Sequence, residues 1–251
     1  MRDVFLLLRS FFLLSIVVSA ISLSAQSSLR AQIASASFRR EIVPNIVLNG
    51  TIDSYTSDQQ DSGTATLSAS SDGSYQVSFQ LNSGGFFSES RNGPALNSTC
   101  TWSDSSQTQH EIPLANCWKP LVWFLPSLGL ASSQTYQNIS LQDLGVEASD
   151  NETSSRRNIH AETMLSAFPQ RTQDRLKNQM GMELSLDPSS LLPSMLAYYS
   201  LSDKGESDSL KYEIHFSKYQ SFEGVAIPMH IERYLNGAIQ LSMDITTVSI
   251  N

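Results

Sequence analysis

The clearest fold signal in this sequence is LKYEIHFSKYQSFEGVAIPMHIERYLNGAIQLSMDITTV, which occupies residues 210–248. Apolar and polar residues alternate along Leu210 to Tyr219, along Val225 to Leu235 and again after Asn236-Gly237, as in strands with one buried face. Residues 220–224 separate the first two runs, and Asn236-Gly237 is a favoured two-residue hairpin turn. The stretch therefore predicts three consecutive antiparallel strands.

The same alternation occurs in the first half of the chain. Tyr75, Val77, Phe79 and Leu81 share one face of a run that follows the hairpin dipeptide Asp72-Gly73. Short strands with turn residues between them favour an antiparallel meander. We find no internal repeat and no linker, so residues 42–251 are predicted to form a single, mainly β domain.

The N-terminus has the pattern of an export signal. Residues 1–25 contain Arg2, Arg9, an apolar run from Phe11 to Ala20 and a small residue, Ala25, before Gln26. Such a pattern predicts a cleavable signal peptide, and the alternative is an N-terminal membrane anchor. Residues 26–41 are interpreted as a leader or a short helix. We therefore expect a protein exported to the periplasm or the medium, with no transmembrane segment after cleavage.

Charge and motif content limit the function classes. The chain has 16 basic and 24 acidic residues; residues 1–25 hold two Arg and one Asp, so the remainder carries a net charge of −9. An acidic chain argues against nucleic acid as a partner. The phosphate-binding patterns GxGxxG and GxxxxGK[ST] and the nucleophile pattern GxSxG do not occur. We expect no cofactor and no catalytic activity.

Cys100 and Cys117 are the two cysteines of the chain. In an oxidising compartment two cysteines at this separation favour one disulfide. The alternative is a pair of free, buried thiols. A zinc site is not favoured, because neither residue belongs to a CxxC pair.

An aromatic and aliphatic segment at residues 118–130 is the main candidate for a ligand site. Apolar and aromatic side chains are typical of ligand pockets, which favours a cavity lining or a lid, but the same pattern fits ordinary packing of a helix on the sheet. The candidate ligand-binding residues are Trp118, Trp123, Phe124, Leu125, Leu128 and Leu130.

Polar residues on the predicted 210–235 hairpin form a weaker candidate. Glu213, His215, His230 and Glu232 alternate with the apolar face, so a symmetric turn brings them together across the two strands. Imidazole and carboxylate groups are suitable ligands for a divalent metal. The alternative is the polar, solvated face of an amphipathic hairpin.

Two passages of residues 183–251 resemble the bacterial outer-membrane lipoprotein-sorting (LolA/LolB-like) proteins. One is ELSLDPSSLLP at residues 183–193, a strand, a turn and a Leu-Pro. The other begins with FSKY at residue 216, continues through GVAIP and YLNG, and ends on VSIN at residue 251. The resemblance implies a strongly curved antiparallel sheet, an incomplete β-barrel, around a few short helices. It also implies an apolar cavity for lipoprotein acyl chains, with segment 118–130 as its lid or plug.

These observations lead to three hypotheses about function. The first is an exported, non-catalytic cell-envelope protein that binds or carries a lipid or an acylated lipoprotein. The second is a cell-envelope protein–protein interaction module that uses an exposed strand edge or the aromatic patch. The third is a metal-dependent hydrolase built on Glu213, His215, His230 and Glu232.

Overall fold

In the part of the chain that the structure describes, one antiparallel sheet of 13 strands organises the fold. The structure, a computed structural model, describes residues 29–39, 45–56, 59–93, 96, 98–131, 139–148, 155–166, 168–176, 179–202 and 205–251. The predicted signal peptide, residues 1–25, lies outside these ranges. No helix within the described ranges is both long enough and apolar enough to span a bilayer.

The strands follow the chain in order. The first six are β1 (Ile46–Tyr55), β2 (Gln60–Ala69), β3 (Tyr75–Leu81), β4 (Phe86–Asn92), β5 (Thr99–Ser103) and β6 (Gln109–Glu111). The next seven are β7 (Ile139–Ala148), β8 (Ser155–Thr163), β9 (Met182–Leu186), β10 (Pro193–Ser202), β11 (Gly205–Phe222), β12 (Val225–Leu235) and β13 (Ala238–Ile250). Four short helices accompany them in the described ranges: α1 (29–37), α2 (Leu114–Cys117), α3 (Pro126–Ala131) and α4 (Gln170–Leu176).

The first and the last strand of the chain, β1 and β13, pair near the middle of the sheet. From this pair the order runs outward through β2, β3, β4 and β5 to β6 on one side, and through β12, β11, β10, β9 and β8 to β7 on the other. Every strand pair is antiparallel. The sheet is not closed, since β6 and β7 are its two outer strands. The predicted mainly β, antiparallel fold class is confirmed.

The alternation predicted for the strands agrees with their burial. Val77 and Phe79 on β3 are buried, as are Ile214 and Phe216 on β11 and Ile231 on β12. The hairpin at Asn236-Gly237 is confirmed, with positive φ at both residues, as a two-residue turn of this type requires.

Two local expectations need correction. β11 continues to Phe222, so the turn before β12 is the pair Glu223-Gly224 and not a loop at residues 220–224. The Asp72-Gly73 turn is a five-residue connection at 70–74, in which the Asp72 carboxylate accepts the backbone N–H of Ser74. Pro126 begins α3, because proline fits the first helical turn, where no N–H is needed.

Irregular pairing bends the strands. Ladder shifts occur in the β1–β13, β7–β8, β9–β10, β10–β11 and β12–β13 pairs. At the first of these, a side chain on Gly50 would place its Cβ 2.2 Å from the carbonyl oxygen of Asp244, so only glycine permits this close approach. Bulges increase local twist and coil a sheet, which is how its two halves come to face each other.

The connection from β6 to β7 crosses the concave face between these halves. Its first part, residues 112–119, we call the strap. The strap contacts both halves: Cys117 forms a disulfide with Cys100 of β5, and the Asn116 side chain exchanges two hydrogen bonds of 3.0 and 2.9 Å with the backbone of Leu201 in β10. On the β8 side, Thr163 Oγ1 donates to the carbonyl of Trp118 at 2.9 Å. The predicted disulfide is thus present, and it anchors the strap.

The next part of the connection, residues 120–131, we call the plug. Its apolar side chains belong to the main core, together with residues from β1 to β3 and from β7 to β13. A buried hydrogen bond of 2.8 Å from Ser37 Oγ to Ser127 Oγ joins the plug to the end of α1. Its backbone bonds Leu125 N–H to Val122 carbonyl and Leu128 N–H to Leu125 carbonyl are internal. The plug therefore has its own local fold inside the sheet.

A variant with both Cys100 and Cys117 changed to Ala should lose stability. A disulfide across a loop of this length stabilises by about 3 kcal/mol through loss of entropy in the unfolded chain. We expect the free energy of unfolding to fall by about 3 kcal/mol. Urea titration of both proteins, made in an oxidising compartment, measures it. An unchanged unfolding midpoint would show that the hydrogen bonds of Asn116 and Thr163 hold the strap without it.

Candidate functional site: a cavity on the concave face

A cavity of about 390 Å³ opens on the concave face between the two halves of the sheet. Side chains from β3, β4 and β5 line one side, and side chains from β9 to β13 line the other. The strap and the first residues of the plug form the remaining wall. Its volume lies within the range of roughly 300–1,000 Å³ that is usual for small-molecule sites.

Aromatic rings form much of this lining. The ring of Tyr198 stacks on Tyr212 with centroids 5.4 Å apart, and Tyr75 meets the plug residue Phe124 edge to face at 6.0 Å. Burial raises the pKa of both Tyr75 and Tyr198, so each hydroxyl stays protonated. The apolar lining is completed by Phe87, Trp102, Ile112, Leu121, Trp123, Met182, Leu201 and Leu210.

Arg91 is the most deeply buried cation in the lining, at 1 % exposure. Its Nε donates to the carbonyl of Gly73 and its Nη1 to the carbonyl of Lys119, both at 2.8 Å, and its guanidinium lies 5.0 Å from the Tyr75 ring centroid. Its Nη2 is buried and has no partner among the described residues. Burial lowers the pKa of Arg91, but guanidinium groups remain charged in proteins. A buried charge with one unused donor is costly unless a further acceptor reaches it.

Arg233 lies across the cavity on β12. Its guanidinium carbon is 5.2 Å from the Trp123 ring centroid and 5.7 Å from that of Tyr212. Its Nε, like the indole Nε1 of Trp123, is buried without a partner in the described part of the chain. Two aromatic rings thus lie near the guanidinium, and its Nε is an unpaired donor.

Lys119 is the third cation of the lining and is 5 % exposed. Its Nζ donates to the backbone carbonyl of Gln179 and lies 5.7 Å from the Tyr198 ring centroid. Burial lowers the pKa of Lys119 to about 7. Glu89 is the carboxylate of the lining, and it accepts the hydroxyl of Tyr75 at 2.6 Å. In the described part of the lining, three basic groups therefore share the cavity with one acidic group.

The predicted ligand-binding residues occupy three environments. Trp123 lines the cavity. Trp118 belongs to a second apolar cluster, where its ring lies 5.2 Å from Phe168. The remaining four are buried in the main core as parts of the plug: Phe124, Leu125, Leu128 and Leu130. Their part in ligand binding stays a prediction.

The four candidate metal ligands lie on the outer face of β11 and β12. His215 is opposite Glu232 in the ladder, and its ring lies 5.0 Å from that of Tyr234. Glu213 is opposite Tyr234 and forms an ion pair of 2.7 Å with Lys211.

His230 completes this set. It lies opposite Ser217, its Nδ1 is 2.8 Å from Asp244 Oδ1, and its Nε2 is 3.5 Å from Glu232 Oε1. Within the described ranges, no three His, Cys, Asp or Glu side chains are grouped so as to hold a metal ion.

The outer face also has a depression of about 690 Å³ along β7 to β11. Several of its charged side chains already have partners: His160 Nδ1 is 2.5 Å from Glu183 Oε1, Lys211 pairs with Glu213, and Glu147 accepts the side-chain amide of Asn158. The concave cavity instead contains buried donors without partners, so we take it as the candidate site.

Sequence reasoning missed the charged groups of this cavity. One signal was available: Arg233 has the same strand parity as the apolar residues Ile231 and Met229, so it continues the buried face. Glu89 and Arg91 likewise follow Phe87 at alternate positions. Lys119 lies outside any strand, and no pattern indicates its burial.

Comparison with known proteins identifies the fold. No protein-family model and no curated protein matches the chain. Among solved structures, a domain described as an outer membrane lipoprotein-sorting protein from Vibrio parahaemolyticus has 10 % identity and a TM-score of 0.55, covering 88 % of this chain and 91 % of that one. A LolA superfamily protein from Nitrosomonas europaea has 12 % identity and a TM-score of 0.53, with 90 % and 93 % covered.

A third structure, a DUF1329 family protein from Desulfovibrio piger, has 9 % identity and a TM-score of 0.55, covering 91 % of this chain and 92 % of that one. At these identities the similarity establishes a shared fold. The resemblance to lipoprotein-sorting proteins, inferred from residues 183–251, is therefore confirmed for the fold and extends over most of the chain.

Replacing Lys119 by Met should remove a pH dependence of stability. The pKa of Lys119 is about 7 in the folded protein and about 10.4 in an unfolded chain, so the unfolded state binds the extra proton between these values. Stability of the natural protein should therefore rise with pH from about 7, by roughly 1 kcal/mol per pH unit. Denaturant titrations of both proteins from pH 6 to 9 test this, and parallel curves would contradict it.

Proposed function

We propose that this protein is an exported, non-catalytic protein of the cell envelope that binds an apolar ligand, a lipid or the acyl chain of a lipoprotein, on its concave face. The observation that carries the proposal is the cavity of about 390 Å³, whose walls combine aromatic and aliphatic side chains with charged and polar groups. The shared fold with lipoprotein-sorting structures supports the same ligand class.

The plug gives this cavity room to enlarge. Leu121 and Trp123 form part of the cavity wall, and the plug residues that follow them fill the core mainly with apolar side chains. Since the plug has internal backbone bonds, it can shift as a unit without breaking a strand ladder. The sheet face so uncovered would bury an acyl chain with a gain of roughly 25 cal/mol per Å² of apolar surface.

The strap is the fixed segment in this proposal, and the plug moves relative to it. The disulfide and the hydrogen bonds of Asn116 and Thr163 fix it to both halves of the sheet. The plug follows it directly and packs through apolar contacts and the Ser37–Ser127 hydrogen bond. Movement is therefore expected after residue 119, where the disulfide and hydrogen-bond anchors of the strap end.

The interaction-module hypothesis is less well supported. It expects exposed tryptophans, but Trp118 and Trp123 are 8 % and 4 % exposed. An observation in its favour is the outer strand β7, where Leu144 and Val146 are 48 % and 59 % exposed. Edge strands with apolar side chains are sites where another chain can add a strand.

The full chain, expressed for export in bacteria and purified without detergent, should carry lipid. Organic extraction and mass spectrometry should detect acyl chains at a defined ratio to protein. A protein that leaves purification lipid-free and then takes up no fluorescent fatty acid would contradict the proposal and place the interaction module first.

A crosslinked plug should block that uptake. The Oγ atoms of Ser37 and Ser127 are 2.8 Å apart, so cysteines at both positions bring their sulfurs within reach of a disulfide. We expect the oxidised Ser37→Cys/Ser127→Cys variant to take up a fluorescent fatty acid at least about ten-fold more weakly than the Ser37→Ala/Ser127→Ala control. Equal uptake by both would show that the plug need not move.

Export should remove the N-terminus. If residues 1–25 are a cleaved signal, the intact mass of protein recovered from the periplasm should match a chain that begins at Gln26. Recovery of the uncleaved chain in the membrane fraction would instead support the alternative of an N-terminal anchor.

A further inference from the structure

The cavity contains more hydrogen-bond donors than its own acceptors use. Nη2 of Arg91, Nε1 of Trp123 and Nε of Arg233 are buried and have no partner within the described chain. All three side chains line the same cavity. Arg91 and Trp123 are more than nine-tenths buried, so bulk water does not satisfy them. Unpaired buried donors are rare in folded proteins and indicate a group that is supplied from outside.

The charges of the cavity indicate which group fits. Among the described lining residues, three basic side chains face one carboxylate, Glu89, and that carboxylate already accepts the hydroxyl of Tyr75. Gln240 adds an amide whose Oε1 has no partner among the described residues, and an amide can turn to offer its N–H instead. The surplus is therefore positive, although the chain as a whole carries a net charge of −8.

Both guanidinium groups keep a donor that an oxyanion can accept from. Arg91 lies beside Tyr75, and Arg233 lies beside Trp123 and Tyr212. Nη2 of Arg91 and Nε of Arg233 are unpaired, and guanidinium N–H groups form strong, charge-assisted hydrogen bonds to carboxylate and phosphate oxygens.

We infer that the cavity binds an acidic amphiphile, with its carboxylate or phosphate headgroup between Arg91 and Arg233 and its acyl chain directed past Trp123 into the plug region. The inference rests on the proposed function and adds the headgroup to it. It also explains why an acidic protein keeps cations in an apolar cavity: the ligand supplies the missing charge and acceptors. A neutral lipid would leave these donors unsatisfied.

The test compares headgroups on one chain length. Natively delipidated protein is titrated calorimetrically with dodecyl phosphate, dodecanoate, dodecanol and inorganic phosphate. We expect both acidic amphiphiles to bind at least about ten-fold more tightly than dodecanol, since the charge-assisted hydrogen bonds to the two arginines are lost with the alcohol. Inorganic phosphate should bind more weakly than dodecyl phosphate, because it lacks the chain.

Variants locate the headgroup. Arg233→Gln should lose the preference for the acidic amphiphiles while its affinity for dodecanol stays within about two-fold, and Arg233→Lys should keep part of the preference. Lys218→Gln is the matched control: it removes the same charge from the outer face, where Lys218 is 66 % exposed and lies 3.6 Å from Asp244. Arg91→Gln removes two structural hydrogen bonds as well, so its folding must first be checked by circular dichroism.

The outcomes separate the two proposals. Equal affinity for dodecanol and dodecanoate overturns the headgroup inference and leaves the lipid-binding function standing. Equal affinity for inorganic and dodecyl phosphate also overturns it, in favour of a free-anion site. If none of the amphiphiles binds, the proposed function itself fails. An identical loss in Arg233→Gln and Lys218→Gln would assign the effect to net charge and overturn the placement between the two arginines.

Discussion

The antiparallel pairing of β1 with β13 is the constraint on which the rest of the structure depends. Because the first and last strands meet in the middle of the sheet, the two outer strands, β6 and β7, both come from the middle of the chain. The connection between them must cross from one edge to the other. It takes the concave side, so the strap and the plug lie inside the curved sheet and define both the core and the cavity.

Different forces hold the two parts of this connection. Polar and covalent contacts fix the strap: the Cys100–Cys117 disulfide, the paired hydrogen bonds of Asn116 and the Arg91 bond to the Lys119 carbonyl. Such contacts are directional and permit one geometry. Apolar packing dominates in the plug, and it is non-directional. The boundary between a fixed and an adaptable segment therefore falls where the chain enters the cavity wall.

The sequence predicted the regular part of this structure well. Alternation in Tyr75 to Leu81 and in residues 210–248 identified these strands and their buried faces. A strand with one buried face alternates apolar and polar residues, and this pattern is visible in the sequence. Turn boundaries were less exact: at Glu223-Gly224 a non-glycine residue takes positive φ, which residue preferences alone do not reveal. The crossing path of the strap depends on the β1–β13 pairing, and a contact between residues so distant in the chain leaves no local pattern.

Prediction of the site was less complete for a related reason. An apolar segment signals burial but not whether it faces a ligand or the core, and only Trp123 of the six candidates lines the cavity. Arg91 and Lys119 are polar residues whose burial is set by partners from distant elements, the Gly73 and Gln179 carbonyls. Charged residues are normally exposed, so the residue types of Arg91 and Lys119 predicted exposure and not burial.

The central pairing also determines when the protein can finish folding. Asn49 and Thr247 are hydrogen-bonded neighbours, yet they are 198 positions apart in the chain. A chain that emerges N-terminus first, from a ribosome or through a translocation pore, can form the β1–β6 meander early, but β1 keeps an open edge until the last strand has appeared. Contacts of such long range slow folding. During that interval the ladder of β1 and the apolar plug stay uncovered, and pairing of β13 with β1 is the step that completes the centre of the sheet.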